Sequence, residues 1–141
     1  DLNYTDYSYF GFDTSKEPID IAIAAWGNYD NIQYKCASWE NPVHIGFVPD
    51  VIIFSGVLLY IKDDSDRANF FDEIMLKNNC VNAIIQEPYH EQRYWDDRLI
   101  LNTITNGGLD FLNEEYNVDK HYLDLPVFAG KRMIYDVTYK S

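Results

Sequence analysis

Two cysteines, Cys36 and Cys80, are all that 141 residues contain. Neither belongs to a C-x-x-C pair, so a structural zinc site of that spacing and a thioredoxin-type redox motif are excluded. A chain of this length can build a core without a covalent staple, and both thiols are expected to be free and buried. The three histidines, His44, His90 and His121, lie far apart, with no H-E-x-x-H or H-x-x-x-H spacing. His90-Glu91 is a weak metal hint that two polar loop neighbours explain better. There is no G-x-G-x-x-G and no P-loop, so a phosphate cradle has no support in the sequence. Ser55, in Phe54-Ser55-Gly56-Val57, lacks the glycine two residues earlier that a nucleophile elbow requires. Asp63-Asp64-Ser65-Asp66 resembles the start of a calcium loop but lacks its glycine and distal glutamate. No apolar run approaches the roughly 20 residues that span a bilayer. Basic residues are scarce, 11 against 23 acidic ones, and the formal net charge is −12. A field of that sign repels nucleic-acid phosphates and anionic membrane surfaces.

Aromatic residues are plentiful, 16% of the chain with 12 tyrosines. Rings of this kind pack well on a pleated, half-buried sheet, and tyrosine also gives binding surfaces large contact area at little entropic cost. Ile19, Ile21 and Ile23 alternate with Asp20, Ala22 and Ala24, which reads as a strand after a turn at 13–18. Residues 27–31 are a turn cluster, and Ile32, Tyr34, Cys36 and Ser38 alternate as a second strand. The apolar runs 51–54 and 57–61 read as a tight hairpin or one bulged strand. Phe70, Phe71, Ile74 and Met75 share one face at helical spacing, which predicts one helix over 64–78. Strands are expected at 81–85, 98–105, 109–112 and 133–139, with a long loop over 113–124. Many short strands with one helix argue for a mainly β fold, a β-sandwich or jelly-roll-like domain with one short α-helix. The chain is expected to be a single β-rich domain over 1–141, with the C-terminal part of a longer chain as an alternative.

One segment is built for recognition. Residues 87–97 read Glu-Pro-Tyr-His-Glu-Gln-Arg-Tyr-Trp-Asp-Asp. Flat faces (Tyr89, Tyr94, Trp95) stand beside planar hydrogen-bonding groups (Glu91, Arg93, Asp96), the chemistry that binds sugars or anchors a protein interface. The competing explanation is that Trp95 is buried and the charges face water. Trp26 and Tyr29, with Trp39, form a second cluster of the same kind at a turn. No catalytic residue, cofactor or metal is expected. Abundant carboxylates make some close pair inevitable, so they do not by themselves indicate a glycoside hydrolase.

Ile45-Gly46-Phe47-Val48-Pro49-Asp50-Val51-Ile52-Ile53 resembles a recurring segment of bacteriophage tail and appendage proteins, the receptor-binding or fibre C-terminal β-sandwich domains. Gly27-Asn28-Tyr29, Asn106-Gly107-Gly108-Leu109-Asp110-Phe111 and the tyrosine-rich end from Gly130 to Lys140 resemble further turns and strands of those domains. The resemblance implies a non-enzymatic, extracellular virion domain that is homotrimeric. Its partners would be a host surface glycan or protein and other virion proteins, with no nucleic acid and no membrane insertion. The alternatives are a carbohydrate-active hydrolase and an acidic inhibitor or immunity protein that masks a basic partner.

Overall fold

A computed structural model describes residues 6–38, 41, 44–61, 64–88, 112, 114–124 and 131–140. The chain divides into two compact units, Asp1–Gly46 and Phe47–Ser141.

In the first unit, β1 (Tyr9–Asp13) and β2 (Ile32–Cys36) form a parallel pair, with Gly11 opposite Tyr34 and Asp13 opposite Cys36. Parallel neighbours cannot be joined by a tight turn and need a crossover. Helix α1 (Lys16–Trp26) is that crossover. The sequence supports it locally. Ser15 stands at the N-cap with extended backbone, and Pro18 falls in the first turn, where its missing N–H costs nothing. Lys16 and Asp20 pair four residues apart on the helix surface. The strand expected at 19–24 is therefore a helix. Ile19 and Ile23 are one helical turn apart, and Ala22, Ala24 and Ala25 are strong helix formers. The period-two pattern did not mark a buried face either: Ile19 is buried, whereas Ile21 is 64% and Ile23 47% exposed.

The second unit carries a mixed four-stranded sheet in the order β3-β4-β6-β5. Strand β3 (Ile52–Ser55) runs parallel to β4 (Asn82–Pro88), and β6 (Lys131–Tyr139) lies antiparallel between β4 and β5 (Tyr116–Asp124). The expected helix is present as α2 (Asp64–Lys77), and its face Phe70, Phe71, Ile74 and Met75 is buried as its spacing requires. The helix ends where Asn79 takes a positive φ of 53° and the Cys80 N–H bonds back to the Met75 carbonyl. On the sheet, Ala83 faces Val137 and Ile85 faces Tyr135 across the register, and all four are buried. Phe71 meets Phe54 at 5.1 Å and Tyr116 at 5.2 Å between ring centroids.

Three further expectations change. The run 57–61 holds a single 3-10 turn, Leu58–Tyr60, in place of a strand. The long loop expected over 113–124 contains the nine-residue strand β5. Its residues Tyr116 and Val118 pair with Tyr139 and Val137, a non-local partnership that a polar-looking sequence hides. The β-sandwich or jelly-roll expectation is overturned, because a parallel pair joined through a helix and a mixed sheet with a second helix make an α/β architecture. Both cysteines are free; Cys80 is buried as expected, but Cys36 is exposed. Among the described residues no helix is long and apolar enough to cross a membrane. The strands expected at 98–105 and 109–112 lie outside the described residues except for Leu112, which is buried.

Candidate functional site

In open α/β sheets, ligands bind outside the carboxyl ends of the parallel strands. In the first unit that end is built by Asp13. It is the last residue of β1 and lies at the exposed surface. Its carboxylate oxygen Oδ1 accepts the Ser15 backbone N–H at 2.7 Å, an Asx-type turn that fixes the side chain and opens α1. Its carbonyl accepts the Ala37 N–H at 2.9 Å, and the Cys36 Sγ–H donates to the Thr14 carbonyl at 3.5 Å. The carboxyl ends of both strands are thus tied together, and an exposed carboxylate stands at their edge. Such a group can accept hydrogen bonds from the vicinal hydroxyls of a sugar.

One face of the same strand pair is aromatic. The rings of Tyr9 and Tyr34 lie 5.7 Å apart and close over Gly11, where an added Cβ would fall 2.9 Å from the Tyr34 ring. Burial pushes the Tyr34 hydroxyl above the ordinary tyrosine value, with Tyr9 and Tyr7 adding to the shift.

In the second unit, the segment after β3 is held from two sides. Gly56 takes a positive φ of 63° and donates its N–H to the Gln86 carbonyl at 2.8 Å. Arg67 of α2, with no exposed surface, donates its Nε–H to the Ile61 carbonyl at 2.7 Å. Leu58 and Ile61 are buried anchors, while Tyr60 between them is 76% exposed. A separate shallow hollow of about 160 Å³ is lined by Asp72, Glu114, Glu115, Tyr116, Ala68 and Leu112. There the Tyr116 hydroxyl donates to the Asp72 carboxylate at 2.8 Å. Burial, and then that hydrogen bond, pushes the Tyr116 hydroxyl strongly above its ordinary range. Among the described residues no cluster of three histidine, cysteine, aspartate or glutamate side chains could hold a metal ion.

Of the residues expected to bind, Tyr89, Glu91, Arg93, Tyr94, Trp95, Asp96 and Trp39 lie outside the described residues. Trp26 ends α1 and Tyr29 follows in the turn, with their ring centroids 6.3 Å apart; they are 42% and 40% exposed. The sequence reading places Asp13 in the turn over 13–18, outside the residues expected to bind. The sequence offers only a partial signal: an acid, then a serine two residues on, then a proline that suits a first helical turn.

No protein-family model and no characterised protein sequence matches the chain. Solved structures do. The N-methyltransferase NodS from Bradyrhizobium japonicum WM9 superposes with a TM-score of 0.71 at 11% identity, over 95% of this chain and 74% of NodS. Its complex with S-adenosyl-L-homocysteine gives 0.70 at 9% identity, over 95% and 67%. A SAM-dependent methyltransferase from Methanosarcina mazei gives 0.67 at 15% identity, over 96% and 84%. The fold is that of the S-adenosylmethionine-dependent methyltransferases.

This methyltransferase fold corrects the resemblance to phage tail and appendage domains, whose quoted motifs are short turn-and-strand patterns shared by unrelated architectures. The non-enzymatic expectation, drawn from the missing catalytic motifs as well as from that resemblance, is corrected with it, since the solved structures on which the chain superposes are methyltransferases. The same holds for the host glycan, the virion partners and the homotrimer. The hydrolase alternative, which drew its acids from the loops, and the inhibitor alternative, which rested on the net charge of −12, do not fit this fold either.

Proposed function

We propose that this chain is a methyltransferase that binds S-adenosylmethionine, with Asp13 accepting hydrogen bonds from the ribose hydroxyls. The observation that carries the reading is the exposed Asp13 carboxylate, fixed by Ser15 at the carboxyl end of β1. In nucleotide-binding α/β folds, an acid at a strand end commonly holds the ribose. The missing glycine-rich phosphate loop fits this ligand, because S-adenosylmethionine has no phosphate to cradle. Its sulfonium cation also suits a chain of net charge −12, which would repel an anionic dinucleotide. When bound, the cofactor supplies an electrophilic methyl group for transfer to a nucleophilic atom of an acceptor. The contribution argued for this chain is binding: Asp13 orients the sugar, and the bonds from Ala37 to the Asp13 carbonyl and from Cys36 to the Thr14 carbonyl hold the backbone on which that carboxylate stands.

Calorimetric titration with S-adenosylhomocysteine tests the reading. The parent should bind it and should bind NADH far more weakly. Asp13→Asn keeps an oxygen for the Ser15 N–H but loses the charge, and affinity should fall about tenfold, roughly 1.4 kcal/mol. Equal binding of both ligands, or an unchanged affinity in Asp13→Asn, would overturn it.

A further inference from the structure

We propose that the tyrosine face of the first unit, Tyr9 and Tyr34 closed over Gly11 with Tyr7 beside them, binds the onium head of an organic cation, a methylated ammonium or a sulfonium. The site lies within one unit, goes beyond the reading of Asp13 and does not depend on it.

A glycine in the middle of a strand weakens it, and Gly11 has no positive φ that would call for one. What it permits is the close approach of two rings. A Cβ there would fall 2.9 Å from the Tyr34 ring and 3.0 Å from the Tyr9 ring, and the two rings stand 5.7 Å apart at 59°. Ring surface stays open to solvent, because Tyr9 is 45% and Tyr7 40% exposed. Backbone bonds hold these residues to the start of β2. The Tyr9 N–H donates to the Asn31 carbonyl at 2.8 Å, and the Asn31 Nδ2 donates to the Tyr7 carbonyl at 2.7 Å. Besides burial, Tyr9 and Tyr7 both raise the Tyr34 hydroxyl, so the three side chains share one neighbourhood. The face of an aromatic ring is its negative side and attracts a cation. Local charge selects a cation over a neutral apolar group. Tyr9, Gly11 and Asp13 share one side of β1, which sets a carboxylate on the aromatic face, and Asp6 adjoins Tyr7. The lysines near by are otherwise placed: Lys35 alternates to the side opposite Tyr34, and Lys16 pairs with Asp20 on α1.

Proton resonance titration with tetramethylammonium chloride reads this directly, because ring currents move the methyl signal upfield on binding. The parent should shift it saturably, and neopentyl alcohol, a neutral group of similar shape, should bind about threefold more weakly. Tyr9→Leu keeps an apolar side chain but loses the ring, and should weaken the cation to a similar degree. Tyr9→Phe keeps the ring and should bind like the parent. The control is Trp26→Leu, which breaks a different exposed ring pair and should also bind like the parent. Thermal melts run alongside, and if Tyr9→Leu does not fold, Tyr7→Leu, outside the strand, decides in its place. Adding S-adenosylmethionine to the loaded protein separates the two sources of the onium. Displacement assigns it to the cofactor, whose advantage over S-adenosylhomocysteine should then shrink in Tyr9→Leu. Joint binding assigns it to a methylated ammonium on a second ligand. Equal binding of the cation and the alcohol, or parent affinity in Tyr9→Leu, overturns the proposal and leaves the reading of Asp13 standing. A parent that takes up tetramethylammonium but not S-adenosylhomocysteine upholds this site and removes that reading.

Discussion

The two units of this chain divide stability and chemistry unequally. In the second, Leu58, Phe71, Ala83, Ile85 and Val137 have no exposed surface, and aromatic rings interlock from Phe70 through Phe54 and Phe71 to Tyr116 and Tyr139. Among the described residues of the first, the buried apolar side chains are Ile19, Ile32 and Ile45, none below 7% exposure, while Ile21, Ile23 and Trp26 lie open on α1. The described part of this small unit offers little burial to offset chain entropy. Yet it is the first unit that carries Asp13, the carboxylate proposed to meet a ligand. The lesson is that the residues that hold this protein together and those that give it a function are read by different rules. Apolar periodicity finds the former. Polar groups at strand ends mark the latter.

The largest expected effect tests the stability half of that contrast. Phe71→Ala deletes a ring that touches both Phe54 and Tyr116 with no exposed surface, and should cost about 3–5 kcal/mol by chemical denaturation. Ile19→Ala in the first unit should cost clearly less, because its site is partly open to solvent and can relax. An equal or larger loss at Ile19 would show that the first unit is the better packed of the two and break the contrast.

A smaller effect probes the aromatic face of the first unit. In Gly11→Ala, the new methyl would lie 2.9 to 3.0 Å from the Tyr34 and Tyr9 rings, so one ring must swing away. Overpacking of this kind costs about 1–3 kcal/mol, and the low end is expected because Tyr9 is 45% exposed and has room to move. Near-ultraviolet circular dichroism should change with it. An unaltered tyrosine signal and unaltered stability would mean that the two rings are not held over Gly11.

How much of this was legible beforehand follows the same division. Helix α2 was readable because Phe70, Phe71, Ile74 and Met75 are spaced for one helical face and nothing non-local competes. Strands β2 and β6 were readable from clean alternation. Helix α1 was not, because isoleucines at 19, 21 and 23 satisfy a strand period as well as a helical turn, and the helical signals beside them, Pro18 in the first turn, the alanines and the exposed Lys16–Asp20 pair, are each weak. Strand β5 was hidden because its stability comes from pairing with β6 rather than from its own residues. The parallel order was beyond reach, since no local pattern states which strands become neighbours. Asp13 was hidden for a related reason: an exposed acid acquires meaning only once a parallel strand is known to end there.

The smallest effect concerns pH and again separates the units. The Tyr116 hydroxyl can donate to Asp72 only while protonated, and burial beside that carboxylate raises its folded-state value well above the ordinary 10.0. A raised value means that the folded state keeps a proton the unfolded chain releases. The contribution is therefore complete below the ordinary tyrosine value and declines as pH rises through and beyond it. Melting temperature should fall as pH rises above about 10 and continue to fall beyond it. Tyr116→Phe should cost about 1 kcal/mol at neutral pH, the net worth of one hydrogen bond, and should flatten that alkaline decline. Tyr34 is also raised, by burial and by Tyr9 and Tyr7, but it has no carboxylate among the causes of its shift. Tyr34→Phe should flatten the decline less than Tyr116→Phe. Should Tyr34→Phe flatten it more, the first unit would be the one whose stability depends on a buried proton, and the contrast between the units would have to be redrawn.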